Sequence, residues 1–369
     1  MEKAKRRALF LPPLYQDSAE EGRLILRDGS TAVIRIPQKA DQERVRDFFD
    51  RLSPESRYSR FFSVAGPDEH FLRDVCNSDF HNRLSLSVHR VVEETPRIIA
   101  VGSYFRVDDK TAEVAFAVED VFQGKGIGAH LLERLALLAV RNGFMRFMAT
   151  TQSSNEPMLE LFCSSGFKVH EKREGGFVQV DFSVIPTKES FDRSEMLDRV
   201  VTAASLRPFF KPKSVAVVGA SREPGSLGYQ IVHNLVNTGF KGEVYPINPH
   251  ADLIDNVRAY HEIGKVPVPV DLAIIVVPAR YVLEVVEDCA LHGVRAVVVI
   301  TAGFAEVSPA GIDIQKKLVE IVRAHGMRLI GPNCMGLMNT DPDVRLNASF
   351  SFVYPPHGRI AVSSQSGAL

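Results

Sequence analysis

The chain has 369 residues, of which 45% are hydrophobic and 24% charged, and its formal net charge at pH 7 is −1. This length exceeds one ordinary core and predicts two domains with part of a third, while the composition excludes a disordered chain. The near-neutral balance excludes a global field for nucleic acid or an anionic membrane, and no apolar run is long enough to span a bilayer.

In chain order, residues 1–22 read as a flexible tail whose one basic run, "MEKAKRR", is short and solvated. It lacks the apolar core of a signal peptide, so the expected location is the cytoplasm. From "TAVIRIP" the pattern predicts a strand, a helix over "ADQERVRDFFDRLS", and strands "LSLSVHRVV", "RIIAVGSYFRV" and "TAEVAFAVE". A long apolar helix after "FQGKG", a strand "RFMATT", a helix "NEPMLELFCSSG" and a strand "GFVQVDFSV" complete an α+β domain over 23–185. Residues 186–206 are polar and read as a linker.

Beyond it, "SVAVVGA", "GEVYPIN", "DLAIIVVP", "RAVVVIT" and "MRLIGPN" are Val/Ile-rich strands alternating with helical stretches. Such runs suit strands buried on both faces, so 207–350 is expected to be a doubly wound, Rossmann-like α/β domain. Residues 351–369 contain one more strand entering a Ser/Gly turn with no helix after it, the start of a third domain. Cys76, Cys163, Cys289 and Cys334 are scattered and make no metal spacing with the histidines. Buried free thiols, and no metal, are expected.

Chemistry concentrates at "VFQGKGIGAHLLERLALLAV". Gly124, Gly126 and Gly128 remove side chains where a helix begins, around Lys125 and Ile127, so unpaired N–H groups and the positive end of the helix dipole converge there. Gln123 adds a donor and Lys125 a charge. Such a turn suits a phosphate, although a glycine triplet alone also serves as a plain strand-to-helix turn.

With the strand before it and "NEPMLELFCSSGF" after it, the stretch resembles the acetyl-CoA signature of the GNAT acyltransferases: Gln or Arg, two residues, Gly, one residue, Gly or Ala. Gln123, Gly126 and Gly128 fill that pattern, and Asn155, Leu161, Gly166 and Phe167 match a later motif that covers the pantetheine arm. The resemblance spans roughly Leu24 to Val184. It implies an α+β GNAT fold and a reaction joining an acyl thioester to an amine. Many members carry a tyrosine that protonates the departing thiolate; here Phe162 stands in its place, so the general acid is left open.

A lysine amine with pKa about 10.4 costs about 4.6 kcal/mol to present as the free base at neutral pH, which makes a general base valuable. Strand alternation in "TAEVAFAV" puts Val114, Phe116 and Val118 on one face and Glu113, Ala115 and Ala117 on the other. Glu113, flanked by two alanines, has room for a substrate and is the candidate base; the alternative is a solvent-facing glutamate. Protein-acetylating members of the family place a glutamate similarly. The backbone near Phe116 and Val118 is the candidate oxyanion neighbourhood.

A second turn, "VVGASREPGSLGYQIVHNL", spaces Gly219, Gly225 and Gly228 too widely for a dinucleotide fingerprint, and Asn248 stands where a ribose-binding carboxylate is expected. Together with "YPINP", "VITAGFAE" and "GPNCMG", the turn resembles the CoA-binding domain of the succinyl-CoA synthetase α subunit and of NDP-forming acyl-CoA synthetases. That resemblance implies CoA phosphates at Gly219, Ser221, Gly225, Ser226 and Gly228. It puts Asn248 toward the nucleotide, with Pro278, Thr301 and Asn333 over the same crevice; "GPNCMG" serves equally as a rigid connector. "SSQSGAL" resembles the opening of that family's flavodoxin-like ligase domain, so 351–369 is expected to be its truncated start. The family's phosphorylated histidine and ATP-grasp module lie beyond the last residue here, and the chain alone is not expected to run the ligation.

A GNAT domain joined to such a region resembles bacterial protein lysine acetyltransferases that modify metabolic enzymes, acyl-CoA synthetases among them. Acetyl-CoA or CoA is then the cofactor, a protein lysine the acceptor, and the second domain a CoA sensor; homo-oligomerisation stays open. Two alternatives remain: the N-terminal portion of an NDP-forming acyl-CoA ligase with an accessory GNAT domain, and a non-catalytic CoA-binding regulator.

Overall fold

A computed structural model describes residues 20–63, 65–92, 95–185, 187 and 202–364. They form two compact units: residues up to 202 apart from 29–31, and residues from 203 onward with 29–31. Most of the expected tail (1–19), most of the linker (186 and 188–201) and the end of the third-domain segment (365–369) lie outside the described residues.

The first unit runs β1 (Glu21–Ile25), β2 (Thr31–Arg35), α1 (Gln42–Arg51), α2 (Pro54–Phe61), α3 (Glu69–Val75), β3 (Arg83–Val92), β4 (Thr95–Arg106) and β5 (Thr111–Val118). It continues with α4 (Ile127–Arg141), β6 (Arg146–Gln152), α5 (Glu156–Cys163), β7 (Val169–Glu174) and β8 (Phe177–Ser183). The eight strands form one sheet in the order β1-β2-β3-β4-β5-β6-β8-β7. Every pairing from β2 to β7 is antiparallel except β5 with β6.

The sheet is covered on both faces because its central strands are apolar on both. Ala112, Val114 and Phe116 of β5 share a core with Leu131, Leu135 and Ala139 of α4. On the opposite face, Ala117 packs with Val45, Phe48 and Phe49 of α1. β5 therefore alternates as its sequence predicts, with Glu113 exposed on the α1 side.

Four elements of the first unit depart from the sequence reading; in the second, two short hairpins (253–258 and 336–349) were not expected, and the strand expected within 351–369 does not form over residues 351–364. β1 begins at Glu21, inside the segment expected as tail, and α2, α3 and β7 lie where no element was expected. β7, "VHEKRE", is exposed beyond Val169 and shows no alternation; α2 is a short helix that buries no residue completely. The thiols also differ from expectation. Cys76 and Cys289 are buried and Cys334 is half-buried, but Cys163 is exposed on α5, a helix that fully buries only Phe162.

A helix described over 202–210, α6, lies in the second unit from Ala203 onward. The unit then runs β9 (Ser214–Val218), α7 (Leu227–Asn237), β10 (Glu243–Ile247), β11 (Leu253–Ile254), β12 (Val257–Arg258), β13 (Leu272–Ile275) and α8 (Ala279–Leu291). β14 (Ala296–Val299), α9 (Pro309–Ala324), β15 (Arg328–Ile330), β16 (Gly336–Asn339) and β17 (Leu346–Ser349) complete it. Five parallel strands, β10-β9-β13-β14-β15, form its sheet, with separate cores on the two faces. The order reverses direction between β9 and β13, so the ends of those strands open the crevice where doubly wound folds bind ligands.

Candidate functional site

The first unit's sheet parts at one place. β5 pairs with β4 from Ala112 to Val118, and β6 pairs with β8 along its whole length. Between β5 and β6, pairing covers only Thr111–Glu113 with Arg146–Met148. Beyond Glu113 and Met148 the two strands diverge, leaving the backbone groups along those facing edges unpaired with one another. Backbone N–H and C=O groups demand partners, so a slot of this kind suits an extended ligand bearing amides.

The Gly-rich turn stands at the wide end of the slot. Gly124 and Gly126 have φ of 72° and 86°, which side-chain-bearing residues rarely adopt. A Cβ on Gly124 would meet no atom within 4 Å. Among the described residues the N–H groups of Gly124, Lys125 and Gly126 have no hydrogen-bond partner, and α4 starts at Ile127 with its own first N–H groups free of intrahelical acceptors. The turn is fixed from behind by Arg27 N–H donating to the Lys125 carbonyl at 3.0 Å. Gly128 has a packing role as well, since a Cβ there would lie 3.2 Å from Leu161 of α5.

Three neighbours of the turn are already engaged. Lys125 Nζ is 3.0 Å from Asp28, so its charge is partly compensated. Gln123 Nε2 donates to the Val118 carbonyl at 3.1 Å and to Ser56 Oγ at 3.2 Å. Asn155 caps α5 by accepting from Met158 N–H at 3.2 Å; its own N–H bonds the Gln152 carbonyl, which places it at the end of β6 across the slot.

Sequence reasoning missed the part played by α2. Ser53 caps this helix, and Asp120 accepts from Ser53 N–H at 3.0 Å, Ser53 Oγ at 2.8 Å and Ser56 Oγ at 2.7 Å. The helix is thus tied at its start to the segment entering the glycine turn. At its far end the Phe62 ring meets Phe177 of β8 edge-on at 5.1 Å. α2 therefore reaches from the end of β5 to the strand beyond β6. Ser53-Pro54-Glu55 was a readable helix-start signature.

Glu113 lies where the strands begin to part, exposed and cross-strand from Phe105. Arg60 of α2 is close enough to feel it: burial pulls the guanidinium down to about 10, and the Glu113 charge opposes that fall. The two tyrosines differ in availability. Tyr104 is fully buried and bonded to Asn142, and burial pushes its phenol up to about 12. Tyr58, on α2, is exposed. Phe162 is core, tilted against Phe116 and Phe182.

The second turn uses its glycines differently. Gly219, with φ of 91°, would place a Cβ 3.0 Å from the backbone of Val276 and Val277. A Cβ on Gly228 would lie 2.2 Å from the Gly219 carbonyl. Both positions close the backbone of β9 and α7 against neighbouring chain. Gly225 alone faces open space. Ser226 caps α7 through Tyr229 N–H at 3.2 Å, and Ser221 Oγ accepts from Glu223 N–H at 3.1 Å. Asn248 braces the turn by donating to the Ala220 carbonyl at 2.7 Å. Among the described residues the N–H groups of Ser221, Arg222 and Gly225 have no partner. Thr301 Oγ1 donates to the Val277 carbonyl, and Asn333 N–H to the Thr301 carbonyl, around the same strand ends.

Each unit thus presents unpaired backbone donors at the mouth of a helix, the arrangement of a phosphate-bearing cofactor site. Residues 47–167 match the model of the acetyltransferase (GNAT) family, and residues 213–340 match that of a CoA binding domain. An acetyltransferase of Pseudomonas aeruginosa is 32% identical over 145 residues, covering 38% of this chain and 77% of that protein. The chain belongs to the GNAT acetyltransferase family, with a CoA-binding α/β domain following the GNAT domain. The α subunit of the ADP-forming acetate–CoA ligase II of Pyrococcus furiosus is 47% identical over 161 residues, covering 44% of this chain and 34% of that protein. The solved GNAT domain of S. lividans PAT is 31% identical and covers 44% of this chain and 96% of that one, with a TM-score of 0.41. The chain spans 22% to 34% of the first ADP-forming ligases it matches.

CoA or acetyl-CoA is the cofactor, and the residues present fit it: each turn offers N–H donors without partners and one glycine, Gly124 or Gly225, whose missing side chain leaves space. Among the described residues no group of His, Cys, Asp and Glu is arranged to hold a metal, and no helix is long and apolar enough to cross a membrane.

Proposed function

We propose that the chain is an acetyl-CoA-dependent N-acetyltransferase that modifies lysines of cytoplasmic metabolic enzymes, an acyl-CoA synthetase among them, with the second unit sensing CoA or acetyl-CoA. The observation that carries the reading is the parting of β5 from β6 at Glu113, which joins the glycine turn and a candidate base through one slot. The match to the GNAT model and to a named acetyltransferase supports acyl transfer.

In this reading Gly124, Lys125, Gly126, Ile127 and Gly128 hold the pyrophosphate through backbone N–H groups, and Gln123, whose own N–H bonds the Asp120 carbonyl, borders them with its side chain. The open edge near Phe116 and Val118 and the Asn155 corner line the arm of the cofactor. The cofactor supplies an acyl group activated as a thioester. Glu113 accepts the proton of the acceptor amine at its carboxylate, and buried Phe162 and Phe116 keep water from the inner end of the slot. In the second unit Gly219, Ser221, Gly225, Ser226, Gly228 and Asn248 form the sensing turn, Gly219 and Gly228 by shaping it. Labelled acetyl-CoA mixed with candidate proteins and small amines is expected to transfer label; transfer to none of them overturns the proposal.

A second reading has its own support. The second unit is 47% identical to a stretch of an ADP-forming acetate–CoA ligase subunit, which fits the N-terminal part of such a ligase with an accessory GNAT domain. Together with the remaining modules of such a ligase, the chain would then support formation of a CoA thioester from acetate, CoA and ATP, with release of ADP and phosphate. Formation of that thioester would favour this reading.

A further inference from the structure

Arg60, on the Glu113 side of the sheet, makes no hydrogen bond or ion pair among the described residues. It sits in the last turn of α2, half-buried, with its guanidinium carbon 4.9 Å from the Phe61 ring centroid and 5.3 Å from that of Phe71. The rings form a connected patch. Phe61 and Phe71 meet at 5.4 Å, and Phe71 lies 6.1 Å from Phe105, the cross-strand partner of Glu113. Arginines nearby are differently placed: Arg57 Nε donates to the Leu52 carbonyl, and Arg51 pairs with Glu119 at 3.3 Å.

An aromatic ring satisfies the face of a guanidinium and leaves its edge, which carries five N–H donors in a fork that matches a carboxylate. Glu113 does not fill that fork, because no ion pair joins the two side chains within 4 Å. The acceptor side of the slot therefore presents a negative group, Glu113, and a separate positive one, Arg60. A complementary ligand carries an amine for the first and an acid for the second.

We infer that Arg60 receives a carboxylate of the acceptor, so that the preferred substrate is an amine with an acidic group beside it, such as a lysine flanked by aspartate or glutamate. The inference rests on the acetyl-transfer reading. The same chemistry is offered by an acidic side chain in a peptide and by the free carboxylate of an amino acid.

The test compares matched acceptors with wild-type protein and with Arg60→Met, Arg60→Lys and Arg60→Glu. One pair of peptides differs only in Glu or Gln next to the lysine; the other pair is Nα-acetyl-lysine and its amide. Wild-type protein is expected to favour the acidic member of at least one pair by about tenfold in kcat/KM, the size of one charge-assisted contact. The pair that discriminates identifies the source of the carboxylate. R60M brings the ratio to near one, R60K keeps part of it, and R60E inverts it in favour of the neutral member of the pair. A purely structural Arg60 would lower both members equally. Calorimetric binding of the same pairs to CoA-saturated protein reads the ratio without turnover. A preference in binding with no acetylation contradicts the transferase reading and leaves Arg60 as a carboxylate receptor. Equal acceptors in wild type, or a ratio that survives R60M, overturns the inference.

Discussion

The two glycine-rich turns look alike in sequence and differ in what their glycines do. At 123–128, Gly124 is bare because nothing stands beside it. At 219–228, Gly219 and Gly228 are bare because backbone already fills the space a Cβ would take. One turn leaves open space at Gly124, where its positive φ favours glycine, and the other is cut back largely for the chain itself. A glycine therefore signals close approach, and only the neighbours reveal whether the approaching group is cofactor or polypeptide.

The sharpest way to separate the units is to remove chemistry from one and count ligands in both. Glu113→Gln is expected to lower acetyl transfer by about 10²–10⁴-fold, the usual worth of a general base, while acetyl-CoA affinity is nearly unchanged. Calorimetry on that variant should still count two sites; one site would make the second turn a scaffold. Undiminished transfer would remove Glu113 from the mechanism.

Next in size is Gly228→Ala. Its Cβ would collide with the Gly219 carbonyl, so the second unit is expected to lose about 1–3 kcal/mol in a denaturant melt, the cost of overpacking. Unchanged stability would break the distinction between the turns.

A pH experiment marks the first unit independently. Burial pushes Asp41 up, but the two bonds from Arg35 at 2.7 and 2.8 Å, the Gln38 N–H and the Arg35 charge outweigh it and hold the carboxyl at about 2. A depressed carboxyl contributes stability above its unfolded pKa, here 3.8, and loses it as pH falls through about 2. The contribution is about 2 kcal/mol. Asp41→Asn should remove that pH dependence from the urea midpoint of the first unit; a parallel curve would assign the acid sensitivity elsewhere. The smallest change expected is Gly124→Ala, which meets no atom and pays only for its positive φ, about 1 kcal/mol. It should weaken acetyl-CoA binding at the first site about tenfold, and a second-site loss instead would reverse the assignment.

Both fold classes were legible because their strongest signals are local. The apolar face of α4 and the Val/Ile runs of β9, β13 and β14 declare themselves, and alternation alone put Glu113 opposite Val114 and Phe116. Two of the elements that went unread bury little of their own surface. β7 is polar beyond Val169, and α2 is held through Asp120, Phe177 and neighbouring rings far away in sequence. The slot itself was invisible for another reason: the point at which β5 and β6 stop sharing hydrogen bonds is a property of two strands, written in neither. Lys125 illustrates the same limit, since its partner Asp28 lies on a distant segment.

The Asp120 hub has an evolutionary corollary. One carboxylate anchors the start of α2, and the hydroxyl it grips on Ser56 is also held by Gln123 of the cofactor turn. The start of α2 and the glycine turn are therefore expected not to drift apart independently as lineages diverge. Positions 56, 120 and 123 should be inherited as a set, and a descendant that replaces one is expected to carry a compensating change at another.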